Sequence, residues 1–158
     1  MDLLEPDSYR TYVSHPEQLR ALVDGNPGIA RIVIDEIQKV PALLDVVQQL
    51  IEEKSRRSLQ FILTGSSSRK LRRAGVEVDF IVYGQDMFLA IEVKSSRRVS
   101  SKDVRSLKAF LEDYPQARAC LLYGGRDRLL VGGIPCLPCA EFLITTHPGC
   151  PNQPQKIR

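Results

Sequence analysis

Four cysteines, two histidines and no Gly-Lys dipeptide in 158 residues exclude several chemistries at the outset. Cys136-Leu137-Pro138-Cys139 is a lone C-x-x-C; Cys120, Cys150, His15 and His147 are the other soft ligands, with no second C-x-x-C and no H-x3-H. A structural zinc site needs four such ligands at set spacings, so neither zinc nor redox chemistry is expected at Cys136 and Cys139. The missing Gly-Lys rules out any G-x-x-x-x-G-K-[ST] loop, and with it the backbone cradle and lysine that anchor a triphosphate. No apolar run approaches about 18 residues, so no membrane span is expected. Met1 to Asp7 lacks the basic-then-apolar pattern of a signal peptide, which points to the cytoplasm and to reduced thiols.

What is present is ordinary in amount and uneven in distribution. Hydrophobic residues make up 43% and charged residues 26%, values of a globular chain long enough to bury a core. Residues 1–68 carry 7 basic and 10 acidic side chains, whereas residues 69–108 carry 10 basic and 5 acidic ones. That basic middle suits a polyanion such as nucleic acid, and a solvated Lys/Arg face would have the same composition.

Along the chain, Asp2-Leu3-Leu4 reads as a short edge strand. Ser14-His15-Pro16-Glu17 has capping-box spacing and should open a helix carrying Leu19, Leu22 and Val23. Ile29 to Ile34 is apolar apart from Arg31, as expected of a buried strand in a parallel sheet, and ends in Asp35-Glu36. Pro41 to Lys54 is an amphipathic helix, and Leu59 to Leu63 a strand running into Thr64-Gly65. A hydrophobic strand closing on Asp-Glu is the Walker-B arrangement, in which Asp35 helps hold Mg²⁺, Glu36 orients water and Thr64 senses the γ-phosphate. Later, Ser100 or Ser101 should cap a helix reaching Asp113, followed by a strand Ala117–Tyr123 with Arg128–Val131 as its hairpin partner. Ile134 to Leu143 reads as an irregular closing segment, and residues 144–158 as a disordered Pro-rich tail.

Between these lies a hairpin. Val78–Tyr83 and Phe88–Val93 are β-prone runs flanking Gly84-Gln85-Asp86-Met87. Symmetric closure sets Asp79 opposite Glu92 and Glu77 opposite Lys94, on a face shared with Ile81, Tyr83, Phe88 and Ala90. Val78, Phe80, Val82, Leu89, Ile91 and Val93 occupy the other face, which should meet the core. Opposed carboxylates in an antiparallel pair repel, and a divalent cation between Asp79 and Glu92 would relieve that repulsion. Mg²⁺ or Mn²⁺ would then be the cofactor, with Lys94 placed to hold a phosphate or stabilise an attacking hydroxide. A solvated hairpin face with a Glu77–Lys94 pair is the plainer alternative.

Ile32-Val-Ile-Asp-Glu-Ile-Gln-Lys-Val-Pro41 with Phe61-Ile-Leu-Thr-Gly-Ser-Ser-Ser-Arg-Lys-Leu71 resembles a family of bacterial and archaeal AAA-type ATPases. Those proteins carry a C-terminal domain of unknown function with a restriction-endonuclease-like, PD-(D/E)-x-K core. Glu77-Val-Asp-Phe-Ile-Val, Ala90-Ile-Glu-Val-Lys-Ser-Ser96 and Leu107-Lys-Ala-Phe-Leu111 resemble that core. The resemblance implies an α/β chain in which a partial P-loop-type AAA module, residues 1–73, keeps the Walker-B and sensor half without Walker A. A partial nuclease-like β-β-α-β module, residues 74–143, follows across the short joint Ala74-Gly75-Val76. It implies Asp79, Glu92 and Lys94 as catalytic residues, with Asp79 and Glu92 as metal ligands. Asp35, Glu36 and Thr64 become a vestigial ATP site, and ATP binding is not expected.

Three readings follow. The first is a metal-dependent nuclease acting on DNA. The second is a non-catalytic module binding nucleic acid, through residues 69–108, or a protein such as a full-length homologue. The third is a residual nucleotide-binding module on Asp35 and Glu36.

Overall fold

The computed structural model describes residues 1–53, 58–65 and 78–145. The elements in order are α1 (Pro6–Ser14), α2 (Gln18–Asp24), β1 (Arg31–Ile34), a 3-10 turn (Ile37–Lys39), α3 (Ala42–Glu52) and β2 (Gln60–Thr64). There follow β3 (Phe80–Gly84), β4 (Met87–Lys94), α4 (Arg105–Asp113), β5 (Arg118–Tyr123), β6 (Leu129–Val131), β7 (Ile134–Pro138) and α5 (Cys139–Thr145). All seven strands join one sheet in the order β1-β2-β3-β4-β5-β7-β6. β1 and β2 are parallel, as expected, but the join to the second half is direct: β2 pairs antiparallel with β3, Thr64 lying opposite Phe80. The two stretches expected as separate modules thus share one sheet. Relative to β2, strands β1, β4, β5 and β7 run the same way, while β3 and β6 run against them.

One face of this sheet holds the main core. Ile32, Ile34, Phe61, Leu63, Ile81, Ala90, Ala119, Leu121 and Cys136 pack there against Leu19 and Val23 of α2, Leu43, Val47 and Leu50 of α3, and Leu107 and Phe110 of α4. The helices bury those positions because their apolar residues recur at three- and four-residue spacing. The opposite face carries a smaller cluster of Ile91, Cys120 and Leu122, covered by Cys139 and Phe142 of α5. This reverses the hairpin expectation, because the main core lies on the face of Ile81, Ala90 and Glu92. Phe80 and Val93, expected inside, are each 37% exposed. The aromatic ring set decides the matter: Phe88 stacks 4.8 Å from Tyr83 and lies edge-on to Phe110 and Tyr114, so α4 docks on that side.

Other expectations shift in detail. Ser14 ends α1 instead of capping the next helix, and α2 starts at Gln18 with no side-chain cap. The N-terminal strand reduces to a single bridge, Asp2 to Asp35. β1 is an edge strand in which Arg31 and Val33 are exposed, not a strand buried on both faces. β6 pairs with β7, and β7 inserts parallel to β5, so the closing segment is ordered sheet and helix. Gly132 and Gly133, at φ 57° and 87°, form the two-residue turn that β6 and β7 need. α4 begins at Arg105, five residues past Ser100, whose N–H and hydroxyl both donate to Asp103 at 2.7 Å. Among the described residues no helix is long and apolar enough to cross a membrane. Glu77, the joint 74–76, Arg69, Lys70, Arg72, Arg73 and the tail from residue 146 lie outside the described residues.

Candidate functional site at one end of the sheet

Five strands of one direction share an end, and the polar residues singled out in the sequence gather there. Asp35 follows β1, Thr64 ends β2, Asp79 precedes β3, and Glu92 and Lys94 close β4. In open α/β sheets, ligands bind outside the carboxyl ends of the strands.

At the hairpin, the expected register holds: Phe80 lies opposite Ile91 and Gly84 opposite Met87. The ladder nevertheless stops at Phe80. The chain bends at Asp79, and Val78, which strand alternation would put on the Phe80 face, packs into the main core. The Asp79 carboxylate Oδ2 accepts the Val93 N–H at 2.8 Å, so it caps the strand end instead of extending the ladder. Glu92 is 7% exposed, and its Oε1 accepts from Lys94 Nζ at 2.7 Å. The Lys94 pKa is raised, first by this hydrogen bond and then by the charges of Glu92, Asp79 and Asp103. The structure thus brings Asp79, Glu92 and Lys94 together and adds Asp103, which sequence reasoning missed. Its serine-capping turn, Ser100 to Asp103, was the available signal. Among the described residues no group of three or more His, Cys, Asp or Glu is arranged to hold a metal.

The second constellation sits two strands away. Thr64 Oγ1 donates to Asp35 Oδ1, and the Glu36 N–H donates to Thr64 Oγ1 at 3.4 Å. Glu36 has the left-handed backbone φ 59°, which a non-glycine residue holds at a cost of about 1–2 kcal/mol. Gln38 Nε2 donates to Glu36 Oε2, with both side chains buried. Gly65 permits this, because a Cβ there would lie 2.5 Å from Gln38 Oε1. Asp35, Glu36 and Thr64 therefore assemble, with Gln38 as an unforeseen fourth member. Their mutual hydrogen bonds suit holding the loop after β1 in place.

Among the described residues, Cys120, Cys136 and Cys139 are free thiols, and Cys150 lies outside those residues. Cys136 points into the main core and Cys139 into the cluster on the other face, so the C-x-x-C straddles the sheet. Burial pushes the Cys120 thiol up to about 12 and also raises that of Cys136.

A family model described as a domain of unknown function (DUF4143) matches residues 46–142, more than half of the chain. The chain belongs to the DUF4143 family. A model of an AAA domain matches residues 2–78, overlapping the first over residues 46–78, and supports an AAA-type member. No curated protein and no solved structure matches the chain. The DUF4143 match begins within α3 and includes β2, so it spans the place where the sheet joins β2 to β3.

Proposed function

We propose that in this DUF4143 protein, which also matches an AAA domain, Asp79, Glu92 and Lys94 form a divalent-cation-dependent site acting on phosphodiester bonds of DNA. The observation that carries the reading is the meeting of two carboxylates and a lysine at the carboxyl end of β4, with Glu92 nearly buried. Two carboxylates are the usual protein contribution to a Mg²⁺ site, so Asp79 and Glu92 fit the ion. Mg²⁺ or Mn²⁺ held there would supply Lewis-acid polarisation of a phosphoryl oxygen. Lys94 stays protonated, since its pKa is raised, and offers a positive charge to a phosphate beside Glu92. The Val93 N–H fixes the Asp79 carboxylate, restricting how it can turn toward a ligand. The restriction-endonuclease-like reading of the β3-β4-α4-β5 order belongs to this proposal, as does the division at residue 73.

ATP hydrolysis by this chain alone is not part of the proposal. Asp35 and Glu36 are engaged by Thr64 and Gln38, and no Gly-Lys loop is present to anchor a triphosphate. Partners in this reading are nucleic acid, through the basic 69–108 stretch, and a full-length homologue; the location is the cytoplasm.

A second reading is favoured by the Lys94–Glu92 contact: a lysine already bound to the carboxylate competes with a cation for it. On that reading the site is structural, and the protein binds nucleic acid or a protein without cleaving. Calorimetric titration with Mg²⁺ and Mn²⁺, wild type against Asp79→Ala and Glu92→Ala, separates the two. Binding lost in both variants supports the catalytic site. A wild type that binds neither ion sinks it, and salt-sensitive DNA binding that survives Asp79→Ala then favours the second reading.

A further inference from the structure

Beyond Lys94 the chain turns through Ser95-Ser96-Arg97-Arg98, and beyond Tyr123 through Gly124-Gly125-Arg126-Asp127. The two loops leave neighbouring parallel strands, with Lys94 paired to Tyr123 in the register. They are fastened to each other: the Gly124 N–H donates to Ser96 O at 2.9 Å. A Cβ on Gly124 would lie 2.8 Å from Ser95 O, so glycine is what lets the loops touch. Each loop is also fixed internally. Ser96 Oγ donates to Arg98 O at 2.7 Å and accepts the Arg98 N–H at 3.1 Å, while Tyr123 OH donates to Asp127 O at 2.5 Å. Gly125 crosses the Tyr123 ring, where any Cβ would collide at 2.1 Å.

This rigid pair presents Arg97, Arg98 and Arg126, all exposed, and none is in an ion pair among the described residues. Asp127 is the single acid in the two loops. Arginine forks bind phosphate oxygens well and remain charged at any working pH. Neighbouring strands lie about 4.8 Å apart, and phosphates along one DNA strand are spaced about 3.4 Å along the helix axis. An arginine side chain is longer than either spacing, so arginines on loops leaving adjacent strands can contact one run of phosphates.

We infer that the paired loops 95–98 and 124–127 form a nucleic-acid backbone platform, in which Arg97, Arg98 and Arg126 hold successive phosphates across the carboxyl ends of β4 and β5. The inference deepens the reading above by naming its substrate-binding surface; it rests on the nucleic-acid part of that reading and not on its metal. It includes Arg126, outside the basic 69–108 stretch. Phosphate contacts position a duplex without reading its sequence, so the platform is sequence-independent.

The test is fluorescence anisotropy of a labelled DNA duplex in EDTA, across about 50–200 mM salt. Wild type, Arg126→Glu and the triple variant Arg97→Ala/Arg98→Ala/Arg126→Ala are compared, each checked for folding by circular dichroism. Each lost arginine should reduce the slope of log K against log salt by about 0.9, so the triple variant loses roughly 2.7 and Arg126→Glu weakens binding visibly. An unchanged slope in the triple variant overturns the inference. So does equal binding of polyglutamate, which would make the surface one for acidic proteins. A wild type that binds no duplex in EDTA also overturns it, and leaves the metal calorimetry to decide the cation site on its own.

Discussion

Replacing Lys94 by Met keeps most of the aliphatic stem and removes the ammonium that Glu92 accepts from. An exposed pair would contribute at most about 1 kcal/mol, and a hydrogen bond to a charged group about 1.5–3 kcal/mol. Here the Glu92 side chain is only 9% exposed, whereas that of Lys94 is 39% exposed. Solvent screening at the lysine end brings the expected loss to about 1–2 kcal/mol. With a urea dependence of about 2 kcal/mol per molar, the unfolding midpoint of Lys94→Met should fall by roughly 0.5–1 M at pH 7. The pH dependence sharpens the test. A lysine whose folded pKa is raised contributes stability that is fully present below the ordinary value of 10.5 and is lost as pH rises through the folded value. The gap between wild type and variant should thus stay flat from pH 7 to 9 and close only in strong alkali. A midpoint shift below about 0.2 M at pH 7, or a gap that fades before pH 9, would refute the pairing argument.

Other consequences are as direct. Phe88→Ala removes a half-buried ring that touches Tyr83, Phe110 and Tyr114, and should cost about 2–4 kcal/mol in chemical denaturation. A loss under 1 kcal/mol would mean that α4 does not dock as described. Gly124→Ala forces a Cβ against Ser95 O and should destabilise by about 1–3 kcal/mol while loosening the two arginine loops. An unchanged melting curve would show that the loops do not touch. Cys120, buried and with its thiol pushed up to about 12, should resist alkylation at pH 8 in the folded protein, whereas half-buried Cys139 should label before Cys120 and Cys136. Mass spectrometry of the labelled peptides reads the order, and equal rates would contradict the burial.

Hydrophobic periodicity was enough to locate α3, β1, β2, the hairpin and β5 to within a few residues, because each buries a face whose spacing is written locally. The hairpin register was equally legible, since a two-residue turn at Gln85-Asp86 pins every pair above it. That register places Glu92 and Lys94 at the end of β4, whereas Asp79 lies beyond the ladder and joins them through its bond from the Val93 N–H. Capping signals misled where two helices abut: Ser14 had S-x-x-E spacing, but α1 had already claimed it.

Which face of the hairpin meets the core was not local information. Charge on Glu92 and Lys94 suggested a wet face, yet Glu92 is buried there with its bond from Lys94, and Phe88, Phe110 and Tyr114 bring the helix to that same side. The antiparallel pairing of β2 with β3, the insertion of β7 between β5 and β6, and the contact of Gly124 with Ser96 join residues distant in sequence. Sequence alone set the elements, their order and the acidic and basic residues available. Tertiary structure decided which of them share one end of one sheet, because strand order depends on long-range pairing that no local pattern encodes.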